Sequence, residues 1–447
     1  MMTLPVLPPE LETRAVRAGH PEYPALRSTY TTTRRPELVL RPRDEHEVAA
    51  AVRYAAASGR VLSVRSGGHG LAGTASNDGG IVIDVGALRE VTVIHTPLVR
   101  IGAGARWGEV AARLAPLGLA ISSGDHGNVG VGGLAVAGGV GWLTRSFGLT
   151  IDRVRAAAVV TASGEIIRVD HTQPELLWAL RGAGDALGIV TSFDIDAMPL
   201  GDIGIAQVVV EADAGGDTLR RWSEHLSQAP RELTTNGLLF SQGASGFVLQ
   251  LTAVVASDDQ HEIRRLVQPL AQLGVRTLGL QASVAPYSAL ISADQLHSNV
   301  GQQPSNTTNA LFPTFDAPTA KAVMDLAAHP ASPFVQLRSL GGVVNDVPAD
   351  ATAWAHRHQQ VLVVASTFPP DGGRGLDAAF APLQEYADGA YRNFESRPHR
   401  SSLERAFPGT TGERVSEIRE RLDPEGVFWR GRREFTRPED SAAGLAS

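Results

Sequence analysis

Over its first 200 residues the chain alternates short β-branched runs with amphipathic stretches, a βα pattern. RPRDEHEVAAAVRYAAASGR, residues 41–60, predicts a helix. Asp44 stands where a side chain caps, Glu47 follows three residues later, and Gly59 stops the run. VLSVR, Val61–Arg65, reads as a short buried strand that runs into the glycine-rich turn SGGHG. Further strands are expected at IVIDV from Ile81, VTVI from Val91 and VRIGAG from Val99. Trp107–Leu117 reads as a helix closed by Gly118, and AAAVVT and EIIRV bracket a hairpin turn at Ser163-Gly164. A short helix, Pro174–Leu180, leads to GIVTSFDIDAM, which alternates as a strand does.

From about residue 201 the pattern changes. IAQVVVEA, GFVLQLTAVVA and PFVQLRSLGG alternate over longer runs. Amphipathic helices are expected around Leu219–Leu226, His261–Leu273, Thr319–Ala328 and Ala351–Gln359. That order predicts an α+β arrangement, an antiparallel sheet covered by helices. After residue 385 the chain returns to short helices and loops, and FPPDGGRG near residue 370 reads as a surface loop. The expected organisation is 1–200, 201–385 and 386–447, without internal repeats. A length of 447 residues suits two or three domains of about 150 residues.

Composition removes several function classes. With 43% hydrophobic and 19% charged residues the chain is globular rather than disordered. A net charge of −7 argues against nucleic acid or an anionic membrane as the main partner. The absence of cysteine excludes disulfides, thiolate metal sites and a cysteine nucleophile. The N-terminus lacks a basic start followed by an apolar core. Between Asp125 and Arg145 there is no charge, yet the stretch is too glycine-rich, and too polar at His126 and Asn128, to span a bilayer. A soluble, cytoplasmic protein is expected. No metal is expected either: His356 and His358, two apart, would face different sides of a helix.

Glycine carries the candidate chemistry. Arg65, Ser66, Gly67, Gly68, His69 and Gly70 follow a strand directly, and their bare N–H groups can cradle a pyrophosphate. A tight turn with a solvent-facing histidine is the alternative. GDHGNVGVGGLAVAGGVGWLTRSFGL, from Gly124 to Leu149, contains a GxGxxG/A match at Gly130–Ala135. Glycines continue past it at Gly138, Gly139 and Gly141, so a large flat cofactor laid along the loop explains it better than a dinucleotide turn. RGAGDALG, from Arg181, precedes another strand. There is no GxSxG elbow and no GxxxxGK[ST] loop, which disfavours an α/β-hydrolase and an NTPase.

In this order, VRSGGHGLAG, NDGGIVIDV, NVGVGGLAVAGGVGWLTRSFGL, ELLWALRGAGDALGIVTSFDI and the terminal YRNF and IRERLDPEGVF resemble the FAD-linked oxidases of the vanillyl-alcohol-oxidase superfamily. The resemblance is closer to the berberine-bridge-enzyme-like branch, and within it to the hydroxynicotine-oxidase type. It implies a two-part, PCMH-type FAD-binding domain (1–200 with 386–447) and a substrate domain (201–385). It implies FAD bound covalently through His69, with Arg65 to Gly70 at the pyrophosphate. Gly124, Gly130, Val131, Gly132, Gly133, Gly138, Gly139 and Gly141 would run along the flavin. Ile189 and Val190 would approach the adenine, and Asn393 would lie near the flavin.

Three departures from the family pattern stand out. A second flavin link in many relatives uses a cysteine where this chain has His126, so only a single link is open to it. Asp185-Ala186-Leu187 stands where an Asn-Phe pair is common. Trp429-Arg430-Gly431-Arg432 follows Phe428 where an asparagine is usual.

The resemblance further implies a substrate held between the flavin and the sheet of the second domain. On alternating strands Gln250 shares a face with Thr252, and Gln336 with Arg338; these faces look either to substrate or to solvent. His126, Tyr287, Gln336 and Arg338 are the candidate catalytic side chains, with Tyr287 the candidate base. The expected partners are a small molecule (a secondary-metabolite alcohol, a cyclic amine or a reduced quinone) and molecular oxygen. Alternatives are another electron acceptor, an oxygenating flavin in antibiotic tailoring, or a drug-sequestering protein. Oligomeric state is not legible from the sequence.

Overall fold

The computed structural model describes residues 4–331, 333–370 and 373–430. The helix expected after Asp44 spans Glu45–Ser58. The Asp44 carboxylate accepts from the Glu47 N–H, and Gly59 ends the helix at φ 64. Its alanine-rich face is buried against two sheets. The first sheet has four strands in the order Ala15–Val16, Leu38–Leu40, Ile81–Asp84, Leu62–Arg65, the last three mutually parallel. The second has five antiparallel strands in the order Val91–His95, Leu98–Gly102, Ile189–Asp196, Val154–Val160, Ile166–Val169. One apolar core joins them and reaches the C-terminal residues Ile418, Val427 and Phe428.

The middle of the chain forms a seven-stranded antiparallel sheet. Its order is Arg276–Pro286, Asp202–Ala212, Phe247–Val255, Leu233–Ser241, Phe334–Ser339, Val361–Thr367, Asn306–Phe312. In Phe247–Val255 the side chains of Phe247, Leu249, Leu251 and Ala253 are buried while Val248, Gln250 and Thr252 are half-exposed, as a period of two requires. The buried face packs on helices Asp217–Gln228, Gln260–Val267, Ala317–Ala328 and Arg374–Gln384 through Trp222, Ile263, Val323 and Phe380. The other face turns toward the glycine-rich segment. Ala137, Val140, Leu149 and Ile151 meet Leu311, Leu340, Leu362 and Val364, with Trp354 and Tyr391 in the same cluster.

The helix expected at Ala351–Gln359 is not formed. That segment is irregular because its backbone groups bond elsewhere. The Ala353 N–H donates to the Trp178 carbonyl, Trp354 Nε1 to the His356 carbonyl, and Arg357 Nε to the Trp354 carbonyl. A Cβ on Gly182 would lie 2.6 Å from the Trp354 nitrogen, so the segment is pressed on a kink in the chain rather than coiled on itself. Its apolar spacing reflects this docking. The strands Leu233–Ser241, Arg276–Pro286, Asn306–Phe312 and Val361–Thr367, and the helix Arg374–Gln384, were not expected from the pattern. Among the described residues no helix is long and apolar enough to cross a membrane.

Candidate functional site

Arg65 ends its strand buried. Its Nε lies 2.9 Å from Asp84 Oδ2, at the end of the neighbouring parallel strand, and its Nη1 donates to the Ser28 carbonyl. Burial works against both charges, lowering Arg65 and raising Asp84, and each charge offsets part of that for the other. The expectation that Arg65 offers charge to a pyrophosphate is therefore corrected: its charge is committed to Asp84, and it anchors the turn instead.

The two glycine loops meet backbone to backbone. A Cβ on Gly67 would lie 2.3 Å from the Gly130 nitrogen, and one on Gly130 2.3 Å from the Gly67 nitrogen. Ser66 Oγ donates to the Ala103 carbonyl at 2.7 Å, and a Cβ on Gly132 would come 2.9 Å from that same oxygen. Arg106, which the sequence reading missed, clamps the two loops. Its Nη1 donates to the carbonyls of Gly67 at 2.7 Å and Asn128 at 2.6 Å. Gly68 takes φ 68, a backbone that favours glycine. By contrast, Gly70 and Gly133 are exposed, and nothing lies within 4 Å of where their Cβ atoms would be.

Two expectations about the loops are corrected. Gly138, Gly139 and Gly141 are buried against protein. Their Cβ atoms would meet Trp354 and Tyr391, Thr150 at 2.0 Å, and the Ser123 carbonyl at 2.1 Å, respectively. A Gly124 Cβ would meet Leu134. Their bareness is explained by the chain's own close packing. Ile189 and Val190 are core residues paired with Val160 and Val159, 2% and 6% exposed, and present no side chain to a ligand. Val131 is likewise fully buried, in the short helix Val131–Ala135.

His69 lies at the open side of the loops. Its ring stacks on Tyr30, with centroids 4.9 Å apart and planes at 18°. Its Nε2 is 2.9 Å from Asn128 Nδ2, and Nδ1 meets no protein partner among the described residues. Burial first, then Arg106, His126, His297 and Arg65, lower its pKa to about 3, so the imidazole is neutral. The His126 and His297 rings lie 5.8 and 6.0 Å from it. His297, also unforeseen, arrives from the segment that follows Tyr287–Leu290. Among the described residues no group of histidines and carboxylates has the geometry of a metal site.

The candidate catalytic residues divide into two sets. Arg338, 6% exposed, reaches from the sheet to Asp125 through Nη1. Its Nη2 donates to Gln336 Oε1 at 3.0 Å, and its guanidinium lies 4.7 Å above the Phe394 ring. Burial works to raise the Asp125 carboxyl and Arg338 more than reverses it, leaving it below the ordinary carboxylate value. The structure thus brings Gln336 and Arg338 together at Asp125, the residue before His126, while the His126 ring lies with His69 and His297. Tyr287 approaches the same loop from the buried side, bonded to Ser123 Oγ at 3.0 Å. Burial pushes its phenol far above the ordinary tyrosine value, the opposite of what a base needs, and that expectation is corrected. Gln250 and Thr252 lie with Gln207 in an exposed hydrogen-bonded row.

The C-terminal segment returns to the glycine loop. Tyr391 Oη accepts from the Gly139 N–H at 3.1 Å and from Asn393 Nδ2 at 2.9 Å. Asp185, one of the departures noted above, pairs with Arg392, in the middle of YRNF. The Asp423 carboxylate accepts the N–H groups of Val427 and Phe428, closing the DPEGVF corner, while Gly431 and Arg432 lie outside the described residues. The donor set suits FAD. Two glycine loops with open flanks at Gly70 and Gly133 leave backbone accessible. Arg106 has no carboxylate within salt-bridge distance among the described residues, and His69 presents an unpartnered neutral nitrogen.

Residues 36–170 match the model of the "FAD binding domain" family. Over 171 residues the chain is 44% identical to the (R)-6-hydroxynicotine oxidase of Paenarthrobacter nicotinovorans, a match that covers 37% of this chain and 37% of that protein. It is 27% identical over 438 residues to the chitooligosaccharide oxidase of Gibberella zeae, covering 88% of this chain and 86% of that one. The structure of 6-hydroxy-D-nicotine oxidase from Arthrobacter nicotinovorans superposes with a TM-score of 0.81 at 25% identity, covering 93% of this chain and 96% of that one.

Proposed function

We propose that the chain, whose residues 36–170 match the "FAD binding domain" family, is an FAD-linked oxidase of the vanillyl-alcohol-oxidase/PCMH superfamily carrying FAD on His69. The observation that carries the reading is His69 itself. It is a neutral imidazole with a free Nδ1, held at the open edge of two glycine loops that an arginine clamps together. Gly67 to Gly70 and Gly130 to Gly133 hold the pyrophosphate and ribityl chain through backbone, with Arg106 supplying the positive charge that Arg65 cannot. The absence of cysteine limits attachment to this one bond. Residues 1–200 and 386–447 form the cofactor part and 201–385 the substrate part.

FAD, when bound, accepts a hydride and passes the electron pair to dioxygen, giving hydrogen peroxide. The protein's share is positioning. Substrate lies beside the Arg338–Asp125 pair, which joins the loop before His126 to the sheet face bearing Gln336. The Arg338–Asp125 pair is already neutral, so it orients a polar group rather than binding a net charge. Neither buried tyrosine serves as a base, since burial raises both phenols, and Tyr391 instead anchors the C-terminal segment to the glycine loop. The substrate class is a small or medium alcohol or cyclic amine. The test is acid precipitation of the purified protein. A yellow pellet that His69→Ala turns colourless supports the reading; a white pellet under a yellow supernatant refutes the link.

A further inference from the structure

Asn128 opens the NVGVGG motif without a role assigned to it, yet it is among the most constrained polar residues in the site, 1% exposed. Its backbone N–H donates to His126 Nδ1 at 3.1 Å, and its carbonyl accepts from Arg106. Its side-chain Oδ1 accepts from the His297 backbone N–H at 3.2 Å. A backbone N–H can only donate, so the atom facing it must be the amide oxygen. That leaves Nδ2, a donor only, facing His69 Nε2 at 2.9 Å, with the His297 ring nitrogens farther off at 3.2 and 3.3 Å. The amide therefore has one orientation, and Nε2 must be the unprotonated nitrogen that accepts.

The orienting N–H comes from the other half of the molecule. The segment around His297 straps across the glycine loops. Gln295 Oε1 accepts from the Gly127 N–H at 2.5 Å, Asn299 Nδ2 donates to the Gly67 carbonyl at 2.6 Å, and the Gly301 N–H to the Thr29 carbonyl at 2.8 Å. Held in this way, His69 has one nitrogen engaged and the other, Nδ1, free. An imidazole substituted at Nδ1 keeps its lone pair at Nε2, which is the acceptor Asn128 is set to meet.

Resting on the covalent reading above, we propose that Asn128 is the positioning residue of the flavin link: its amide occupies the Nε2 lone pair, withholding that nitrogen from the flavin, and matches the ring substituted at Nδ1, which it keeps neutral. The bond forms between Nδ1 and the methyl carbon on the flavin's benzenoid ring. The Nδ1–H bond and one methyl C–H bond break, and the two protons and two electrons reduce the flavin. Dioxygen, the acceptor in the proposed reaction, then takes them as hydrogen peroxide. The charged and titratable groups around the ring are Arg65, Arg106, His126, His297 and Tyr30, with Asp84 behind Arg65 and Asp125 beside His126. The arginines and the two histidines disfavour an imidazolium; Asn128 adds a donor where a proton would have to sit.

The test uses the full chain saturated with FAD, wild type beside Asn128→Asp and Asn128→Leu. Denatured samples are read for in-gel flavin fluorescence, native ones for the flavin absorption spectrum between about pH 5 and 8. Wild type retains flavin through denaturation, with a spectrum flat across that range. In Asn128→Asp, close to the same shape, the carboxylate accepts from a protonated Nε2 and the spectrum titrates within the range. Asn128→Leu still binds FAD but forms the link about tenfold more slowly on incubation with FAD. If both variants link as wild type does and their spectra stay flat, the role of Asn128 is refuted and the His69 link stands. If wild type itself releases its flavin on denaturation, the link is absent and the inference falls with it.

Discussion

Replacing Arg145 by methionine tests how the two halves of the molecule are held together. Arg145 lies in the short helix Thr144–Phe147, at the end of the glycine-rich segment, and is 2% exposed. It has no carboxylate partner among the described residues. Its guanidinium instead donates to four backbone carbonyls of the middle domain: Leu233 at 2.7 Å, Leu340 at 2.6 Å, Leu226 at 3.0 Å and Ala229 at 3.1 Å. Burial lowers its pKa to about 10, still far above neutrality, so it is a buried cation neutralised only by dipoles. Methionine fills most of the volume but leaves the carbonyls without that donor. A buried group stripped of its partner costs about 1–3 kcal/mol, so with partial relaxation the loss is roughly 3–5 kcal/mol. At about 2.1 cal/mol/K of unfolding entropy per residue over 447 residues, thermal unfolding followed by flavin fluorescence and by circular dichroism should show a fall of roughly 3–5 °C. Arg145→Lys should restore part of it, since an ammonium reaches one or two of the four oxygens. A methionine variant within 1 °C or so of wild type would refute the reasoning. The staple would then be redundant with the apolar contacts of Leu149 and Ile151.

Gly133→Ala and Gly139→Ala should separate ligand-facing from self-packed glycine. The first adds a methyl to open space and should leave the apoprotein's melting temperature unchanged while weakening FAD retention. The second drives a Cβ within 2.0 Å of Thr150 Oγ1 at φ 91 and should prevent folding to soluble protein. His356, 2% exposed, is held neutral by burial with a pKa of about 4, while the unfolded imidazole takes its proton near pH 6.5. Unfolding therefore takes up a proton in that window, and stability falls by about 1.4 kcal/mol per pH unit on acidification from 6.5 towards 4. His356→Asn, compared with wild type by urea unfolding at both ends of the window, should reduce the measured slope by about 1.4 kcal/mol per pH unit, the neutral His69 keeping its own share. Tyr391→Phe removes the acceptor of the Gly139 N–H and of Asn393 Nδ2 and should cost about 1–3 kcal/mol in urea unfolding; an unchanged midpoint would discard that anchoring role.

What could be read from the residues alone follows from where each physical cause lies. The Glu45–Ser58 helix was legible because its cap, its apolar stripe and its stop are all local to the segment, and Asp44 and Gly59 do what those residue types do anywhere. The Arg65 to Gly70 turn was legible because a glycine run after a strand leaves N–H groups bare whatever lies around it. The failures are of the opposite kind. Ala351–Gln359 has helical spacing, but its hydrogen bonds go to Trp178 and to its own side chains, and periodicity cannot tell docking against a kinked neighbour from coiling. The run at Gly138, Gly139 and Gly141 looked like room for a cofactor, yet Thr150, Tyr391 and Ser123 occupy the space that side chains would take. Bare backbone signals close approach without saying to what. Arg106 and Asn128 were missed for a third reason. Each acts on partners 22 to 169 residues away, carbonyls and a ring nitrogen that come within 3.3 Å only after the glycine loops and the strap around His297 have docked. A single arginine or asparagine carries no spacing to betray this. The residues whose bare backbone marks the candidate site were therefore visible early, while those that set orientation became visible only with the fold, and the variants at Asn128, Arg145 and Tyr391 address that second set.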